Sequence, residues 1–289
     1  MKSSEKNITR EDLIKELKYC HSQIKYNNKL LKIIHPILLK IMVSTLKSEL
    51  NLVSDNQIQF DYPVIYAVNH TNSHDVPAVS EVIKDHYYVL AGSENLRLIE
   101  KILFKLNGVI FVDRSNNSSR GNSKNEAIKS LLMGNNLLIF PEGTWNVTPN
   151  EIMMNLNWGI IDISKISGTP IVPITIDYVN NVRYTNVGKP IYFSKEENKL
   201  DCINKLRDQM ATLRWEVWEK YKHYDRSEVS QEQFDLELQK AYSEYPKLDK
   251  EYEKKLVLRK YTTYDEAFEH LKHINYNLDN AYLLRKSNH

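Results

Sequence analysis

Cysteine, glycine and long apolar runs are scarce in this 289-residue chain, and each scarcity excludes a class of protein. Its two cysteines, Cys20 and Cys202, have no metal-binding spacing, so we interpret both as free thiols of a reducing compartment. The eight glycines form neither a P-loop nor a Gly-x-Gly-x-x-Gly turn, and there is no Gly-x-Ser-x-Gly elbow. Nucleotide binding and serine-hydrolase chemistry therefore have no support.

An excess of charge is also missing. The formal net charge of +2 gives no reason to expect nucleic-acid binding, and the mean hydropathy of -0.51 argues against an integral membrane protein. Residues 1–11 are polar and mixed in charge, without the apolar core of a secretion signal. We therefore predict a cytoplasmic protein.

The N-terminal 50 residues differ from the rest of the chain. They contain ten Lys or Arg and five Asp or Glu, a formal charge of +5. Residues 30–43 are strongly apolar, but lysines at 32, 40 and 47 and a proline at 36 leave no clean membrane span and favour two short amphipathic helices. Two interpretations are open: a membrane-docking element, or helices packed on the core with lysine ends in water.

The middle of the chain alternates between two patterns. Short β-branched or aromatic runs bounded by turn residues predict strands at 64–68, 87–90, 109–112, 137–140 and 171–176. Helical patterns lie between them at 76–84, 96–106, 124–133 and 156–167. This alternation predicts an α/β fold with a mostly parallel sheet flanked by helices.

The remainder predicts one or two edge strands at 184–193, a long helix at 198–223 and a charged, tyrosine-rich C-terminal extension. The extension is interpreted either as solvated helices that pack through one face or as a partner-binding appendage. We divide the chain into a basic amphipathic helical segment (1–55), an α/β domain (56–224) and a helical extension (225–289).

Two motifs follow predicted strands and carry candidate chemistry. In the first, Asn69-His70-x4-Asp75, the imidazole of His70 is a candidate base and Asp75 a partner for its other ring nitrogen. Asp75 is also well placed to be only a helix N-cap. A metal shared by His70 and His74 is disfavoured, because the turn between them is a poor helix and no cysteine cluster adds ligands.

The second motif is Phe140-Pro141-Glu142-Gly143-Thr144. Glu142 is a candidate acceptor of hydrogen bonds from substrate hydroxyls, and backbone N–H groups near Gly143 are candidates for facing an oxyanion. Arg114, after the third predicted strand, is a candidate anion-binding residue, with a structural ion pair as its alternative. The polar run 115–125, which carries Arg120 and Lys124, is predicted to be a mobile loop near the site or a plain surface linker.

Four blocks in this order resemble those of the lysophospholipid acyltransferase family, which includes the PlsC-like 1-acylglycerol-3-phosphate acyltransferases. The blocks are the two motifs, residues 108–114 and residues 171–174, and the resemblance covers roughly residues 30–193. It implies direct transfer of a fatty acyl chain from acyl-CoA or acyl-carrier protein to a hydroxyl, with no other cofactor and no metal. It also implies a membrane-docking N-terminal element, and so a peripheral position on the inner face of the membrane.

The resemblance assigns roles to individual residues. It implies His70 as base with Asp75 as its partner, and Arg114, Glu142 and Gly143 as acceptor-binding residues. We add Thr144 to that set, with Asn69, Asp113, Lys124 and Trp145 as possible pocket residues. The family commonly has an arginine where this chain has Trp145, so a non-phosphorylated or amine-bearing acceptor is an alternative. A lipid-binding protein without turnover is a second alternative.

Overall fold

The structure is a computed structural model that describes residues 11–12, 14–15, 29–92, 108–112, 117–146, 152–179, 181–221 and 229–244. Its strands are β1 Glu49–Leu52, β2 Ile65–Val68, β3 Tyr87–Gly92, β4 Val109–Val112, β5 Asn136–Ile139, β6 Ile171–Val179 and β7 Val182–Val187. Its helices are α1 Lys29–Val43, α2 Asp75–Val82, α3 Asn117–Leu132, α4 Gly159–Ser167, α5 Lys199–Lys220 and α6 Gln231–Glu244.

The strands form one seven-stranded sheet in the order β1-β7-β6-β2-β5-β3-β4. Neighbouring strands are parallel except β6 and β7, which form an antiparallel hairpin whose turn includes Asn181 at a φ of 64°. The central strand β2 is apolar and buried throughout, as expected for a parallel strand that is covered on both faces. The predicted α/β class with a mostly parallel sheet is confirmed.

Helices cover both faces of the sheet because successive side chains of each strand point to opposite sides. On one face, Tyr66 and Val68 of β2 share a buried cluster with Leu39 of α1 and Val79 of α2. On the other face, the cluster contains residues of β2, α3, α4 and α5, including Ile65, Ala67, Ile128, Ile160 and Leu206. The sheet is thus the middle layer of three.

Five strands and four helices coincide with the elements that the sequence predicts. The five strands are β2, β3, β4, β5 and β6, and the helices are α2, α3, α4 and α5. The helix predicted at 96–106 lies outside the described residues. The polar run 115–125 was predicted as a loop, and this is wrong from Asn117 onwards, where α3 begins. The hydroxyl oxygen of Ser123 lies 2.7 Å from the carbonyl oxygens of both Ser119 and Phe111, and its one proton can bond either of them, so this polar side chain is satisfied within the helix.

The prediction of two short helices in this segment is also wrong, since the single helix α1 runs through Pro36 without interruption. A proline inside a helix removes one backbone hydrogen bond, which here is offset by packing on both sides. The neighbouring His35 is buried against the rings of His86 and Tyr87, at centroid distances of 4.7 and 5.1 Å, and Leu39 is buried one turn later.

The edge position predicted for the strand or strands at 184–193 is wrong for residues 184–187, which belong to β7. Strand β7 pairs with β6 on one side and with β1 on the other, so it is internal. Sequence analysis missed β1 because its four residues, Glu-Leu-Asn-Leu, are short and adjoin the basic arm. The domain boundaries stay a prediction, but the sheet begins before residue 56.

The C-terminal extension is described as far as residue 244. Val229 and Phe234, before and within α6, are buried, whereas Leu236 is 60% exposed. This burial supports the interpretation of a helix that packs through one face. Its role as a partner-binding appendage stays a prediction.

Buried tyrosines provide a test of this packing. Burial raises the pKa of the Tyr87 and Tyr66 phenols well above their ordinary value and that of Tyr88 to about 12. The unfolded chain ionises its tyrosines near pH 10, whereas the folded chain keeps these protonated. The folded state therefore binds more protons above pH 10, and the free energy of unfolding falls as the pH rises through that range.

We expect Tyr87→Phe to make the fall of the free energy of unfolding above pH 10 less steep, by up to about 1.4 kcal/mol per pH unit. At neutral pH the variant loses the hydrogen bond between Tyr87 Oη and Ser80 Oγ, at a cost of about 1 kcal/mol. Urea unfolding from pH 7 to 11.5 measures both effects. Ser80→Ala is the matched control, because it removes the hydrogen bond but keeps the phenol of Tyr87. Its free energy of unfolding should therefore fall above pH 10 as steeply as that of the wild type. An unchanged slope in Tyr87→Phe would contradict this account.

Candidate functional site

Three neighbouring strands, β6, β2 and β5, place the two sequence motifs together. Asn69 and His70 directly follow β2, and Phe140 directly follows β5. Because the strands are parallel, these residues meet at the carboxyl edge of the sheet, where ligand sites of such folds are usually found.

Asn69 continues the sheet beyond the end of β2. Its side-chain Nδ2 donates to the carbonyl of Ile176 at 3.0 Å, and its Oδ1 accepts from the Ile176 N–H at 2.7 Å. These two bonds copy a backbone ladder, and the amide is fully buried. Predicted as a possible pocket residue, Asn69 thus has its amide on β6, where it fixes the backbone from which His70 projects.

The predicted pairing of His70 with Asp75 is present. His70 Nδ1 lies 2.9 Å from Asp75 Oδ2, and the histidine side chain is 19% exposed whereas the aspartate is fully buried. The other ring nitrogen, Nε2, accepts a hydrogen bond from the indole Nε1 of Trp145 at 2.9 Å. Since an indole N–H only donates, Nε2 carries the lone pair and Nδ1 carries the proton. This is the tautomer that a general base needs.

The carboxylate of Asp75 accepts several hydrogen bonds from the turn that precedes α2. Its carboxylate accepts from the backbone N–H groups of Thr71 and Asn72, the latter at 2.9 Å, and from the Thr71 hydroxyl at 3.1 Å. A buried carboxylate needs such bonds to offset its lost hydration. The alternative of Asp75 as the N-cap is not supported, because His74 occupies that position.

Tyr178 completes the carboxylate's environment, and sequence analysis did not identify it. The Tyr178 hydroxyl, from β6, donates to Asp75 Oδ1 at 2.9 Å. Burial, followed by the nearby Asp75 charge, raises the pKa of Tyr178 well above its ordinary value, so the group stays a donor. The only available signal was an aromatic residue near the end of a strand at the correct edge.

The imidazole is also fixed by aromatic neighbours. Its ring stacks on Phe140, with centroids 4.2 Å apart and planes inclined by 22°. Trp145 meets the same ring edge-on, at 5.9 Å and 78°. Within the described residues, no group of three or more His, Cys, Asp or Glu is placed to hold a metal ion.

Glu142 is nearly fully buried and bridges two backbone segments. Its Oε1 accepts from the His70 N–H at 3.1 Å, and its Oε2 accepts from the Met154 N–H at 2.9 Å. Through these two hydrogen bonds the carboxylate orients the backbone of His70. A carboxylate has about four acceptor positions, so its predicted role in binding a substrate hydroxyl stays a prediction.

The turn after Glu142 is tightly packed. Gly143 has a φ of 76°, and its N–H donates to the Phe140 carbonyl at 3.0 Å. A Cβ at this position would lie 2.3 Å from Nδ2 of Asn157. Thr144 is buried, and its Oγ1 has no hydrogen-bond partner among the described residues. The predicted contact of this turn with an oxyanion stays a prediction.

Two arginines of α5 support the segment that contacts Glu142. Arg207 Nη2 donates to the Met153 carbonyl at 2.7 Å, and Arg214 Nη1 donates to the Ile152 carbonyl at 2.6 Å. Arg214 is fully buried, and its Nε pairs with Asp177 of β6 at 3.0 Å. Sequence analysis predicted the helix but not these contacts, because nothing in a helical pattern specifies a distant carbonyl.

Of the remaining predicted site residues, the structure describes only Lys124, and it does not bring this residue together with His70. Arg114 and Asp113 lie outside the described residues. Lys124 lies on α3, with its Nζ 3.8 Å from Asp162 of α4. Asp162 also pairs with Lys199 at 2.7 Å. The structure therefore places Lys124 in an ion pair between helices on the face covered by α3, α4 and α5.

We expect Gly143→Ala to destabilise the fold more than Gly134→Ala. Both glycines have positive φ, 76° and 82°, so both variants suffer the backbone strain of about 1–2 kcal/mol. A Cβ at Gly134 enters open space, whereas one at Gly143 displaces Asn157. Urea unfolding compares the two. Equal losses of stability would contradict the tight packing of this turn.

Comparison with known proteins shows which proteins this chain is similar to. The family model described as Acyltransferase matches residues 49–177. The chain is 30% identical over 125 residues to the 1-acyl-sn-glycerol-3-phosphate acyltransferase of Borreliella burgdorferi; the match covers 43% of this chain and 49% of that protein. The chain thus spans about half the length of this curated relative.

A solved structure supports the fold. The crystal structure of the 1-acyl-sn-glycerophosphate (LPA) acyltransferase PlsC from Thermotoga maritima superposes with a TM-score of 0.50. The match covers 74% of this chain and 88% of that one at 17% identity, which supports the fold alone. The family match includes His70, Asp75 and the Glu142 turn. Over residues 49–177 the chain is therefore similar to the Acyltransferase family.

Proposed function

We propose that the protein transfers a fatty acyl chain from an acyl thioester to a hydroxyl of a lysophospholipid-like acceptor, such as 1-acylglycerol-3-phosphate. The observation that carries the proposal is the arrangement at His70, whose Nδ1 pairs with buried Asp75 while Nε2 holds a lone pair. The named activity of the similar bacterial protein supports the same reaction. The donor is acyl-CoA or acyl-carrier protein.

In the proposed mechanism, His70 Nε2 removes the proton of the acceptor hydroxyl as its oxygen attacks the thioester carbonyl carbon. Asp75 keeps the Nδ1 proton in place and stabilises the imidazolium that forms. The C–S bond then breaks, and the leaving thiolate takes the proton from Nε2. No covalent acyl-enzyme is needed, because the attacking oxygen belongs to the acceptor.

We expect His70→Gln to lower acyl transfer by about 10²–10⁴-fold, the usual contribution of a general base. The measurement is mass-spectrometric detection of the acylated product from palmitoyl-CoA, or palmitoyl-carrier protein, and 1-acylglycerol-3-phosphate. His74→Gln is the matched control, because this histidine lies in the same turn but has no role in the proposed mechanism. Circular dichroism checks that each variant folds. Full activity in His70→Gln would contradict the proposal.

An unphosphorylated acceptor is the second candidate, and the observation that favours it is Trp145. An indole provides an apolar wall and one N–H donor, but no positive charge for a phosphate. The proposed phosphate contact therefore falls on Arg114. Acylation of 1-acylglycerol-3-phosphate supports the first candidate, whereas product formed only from 1-acylglycerol supports the second.

We propose further that α1 docks the protein on a membrane surface. Ile33, Ile37 and Ile41 recur every four residues and are 62%, 54% and 58% exposed, which gives one apolar stripe along the helix. Lys40 on α1 and Lys47, four residues after its end, are also exposed and could contact anionic lipid. Among the helices that the structure describes, none is long and apolar enough to cross a bilayer. The proposed peripheral position on a membrane surface rests on this stripe.

We expect the triple variant Ile33→Ser, Ile37→Ser, Ile41→Ser to bind vesicles at least about tenfold more weakly, because membrane affinity scales with the buried apolar area. Co-sedimentation with vesicles of phosphatidylglycerol and phosphatidylethanolamine measures the binding. Leu236→Ser, which removes an equally exposed apolar side chain from α6, is the control. If the triple variant bound as tightly as the wild type, docking through α1 would be excluded.

A further inference from the structure

Trp145 is hydrogen-bonded to the atom that the proposed reaction needs, Nε2 of His70. Its indole Nε1 lies 2.9 Å from His70 Nε2, within ordinary hydrogen-bond distance. A substrate hydroxyl must approach the same nitrogen to about 2.6–3.2 Å before it loses its proton. The one lone pair of Nε2 cannot serve both donors in this geometry. The indole nitrogen therefore marks the place of the acceptor oxygen.

The backbone around Trp145 is fixed, so the side chain is the part that can move. On one side, the Gly143 N–H closes a turn onto the Phe140 carbonyl at 3.0 Å. On the other side, the Asn146 N–H donates to the His70 carbonyl at 2.6 Å. Trp145 itself is only partly buried. Rotation of the indole opens Nε2 without breaking either backbone bond.

We propose that Trp145 is a specificity-determining residue that prevents His70 from activating water until the lipid acceptor displaces the indole. This inference rests on the proposed function. Without the indole, His70 Nε2 takes a proton from water as the water oxygen bonds to the thioester carbonyl carbon. The C–S bond breaks, the thiolate takes the proton from Nε2, and the products are a free fatty acid and a free thiol.

The selection follows from what each molecule brings to the site. A lipid acceptor has an acyl chain and a head group, whose contacts offset the lost indole hydrogen bond. A water molecule offers one O–H and no further contact. The indole hydrogen bond must break in either case, but only the lipid acceptor has contacts that offset its loss. The free-energy cost of breaking this bond therefore slows hydrolysis more than transfer. Trp145 thus favours transfer over hydrolysis although it contributes no charge.

The test measures free palmitate released from palmitoyl-CoA by the full-length protein without acceptor, and acylated product formed with 1-acylglycerol-3-phosphate. We expect Trp145→Phe, which keeps an aromatic ring but lacks the N–H, to hydrolyse the thioester about tenfold faster than the wild type. The ratio of transfer to hydrolysis falls accordingly. The double variant His70→Gln, Trp145→Phe loses the added hydrolysis. Trp215→Phe, on the exposed side of α5, leaves the ratio unchanged.

The outcomes separate this inference from the proposed function. If the wild type transfers acyl chains and Trp145→Phe hydrolyses no faster, the inference is overturned and the proposed function stands. If the wild type acylates no acceptor but Trp145→Phe hydrolyses palmitoyl-CoA faster in a His70-dependent manner, shielding by Trp145 stands and the proposed acceptor is wrong. Thermal unfolding confirms that the phenylalanine variant is folded.

Discussion

The rest of the site depends on the buried carboxylate of Asp75. Removed from water, this group must have its oxygen atoms satisfied by the protein. Its donors come from the turn after β2, from the His70 ring and from Tyr178 of β6. Together they tie the turn to the sheet and set the ring of His70 in one orientation. The chemistry proposed for Nε2 is therefore a consequence of how one negative charge is buried.

A second set of contacts connects α5 to the backbone of His70 through residues 152–154 and Glu142. Arg207 and Arg214 of α5 hold the carbonyls of Ile152 and Met153, and the next N–H, that of Met154, donates to Glu142. Glu142 in turn accepts from the backbone of His70. The long C-terminal helix of the domain thus positions the candidate base through a loop and a carboxylate. None of these groups needs to touch a substrate to affect the reaction.

Much of this was predictable from the sequence where the signal is local. Strand β2 and the His70–Asp75 pair follow from an apolar run and a five-residue spacing, both of which a short window contains. The features that the sequence did not predict depend on contacts between residues that are distant in sequence. Strand β1 is too short to be recognised before its partner β7 is known, and Pro36 breaks a helix by propensity but not when His35 and Leu39 anchor both sides. Tyr178 and Arg214 act through contacts that only the folded chain creates.

The central claim is that Asp75 and Trp145 hold His70 as the tautomer with the proton on Nδ1 and the lone pair on Nε2. Long-range ¹H–¹⁵N correlation NMR of the histidine side chains measures this directly, with His70→Gln assigning the resonance. At neutral pH the account predicts a protonated Nδ1 and an unprotonated Nε2 for His70, and loss of that preference in Asp75→Asn. A proton on Nε2 in the wild type would contradict it.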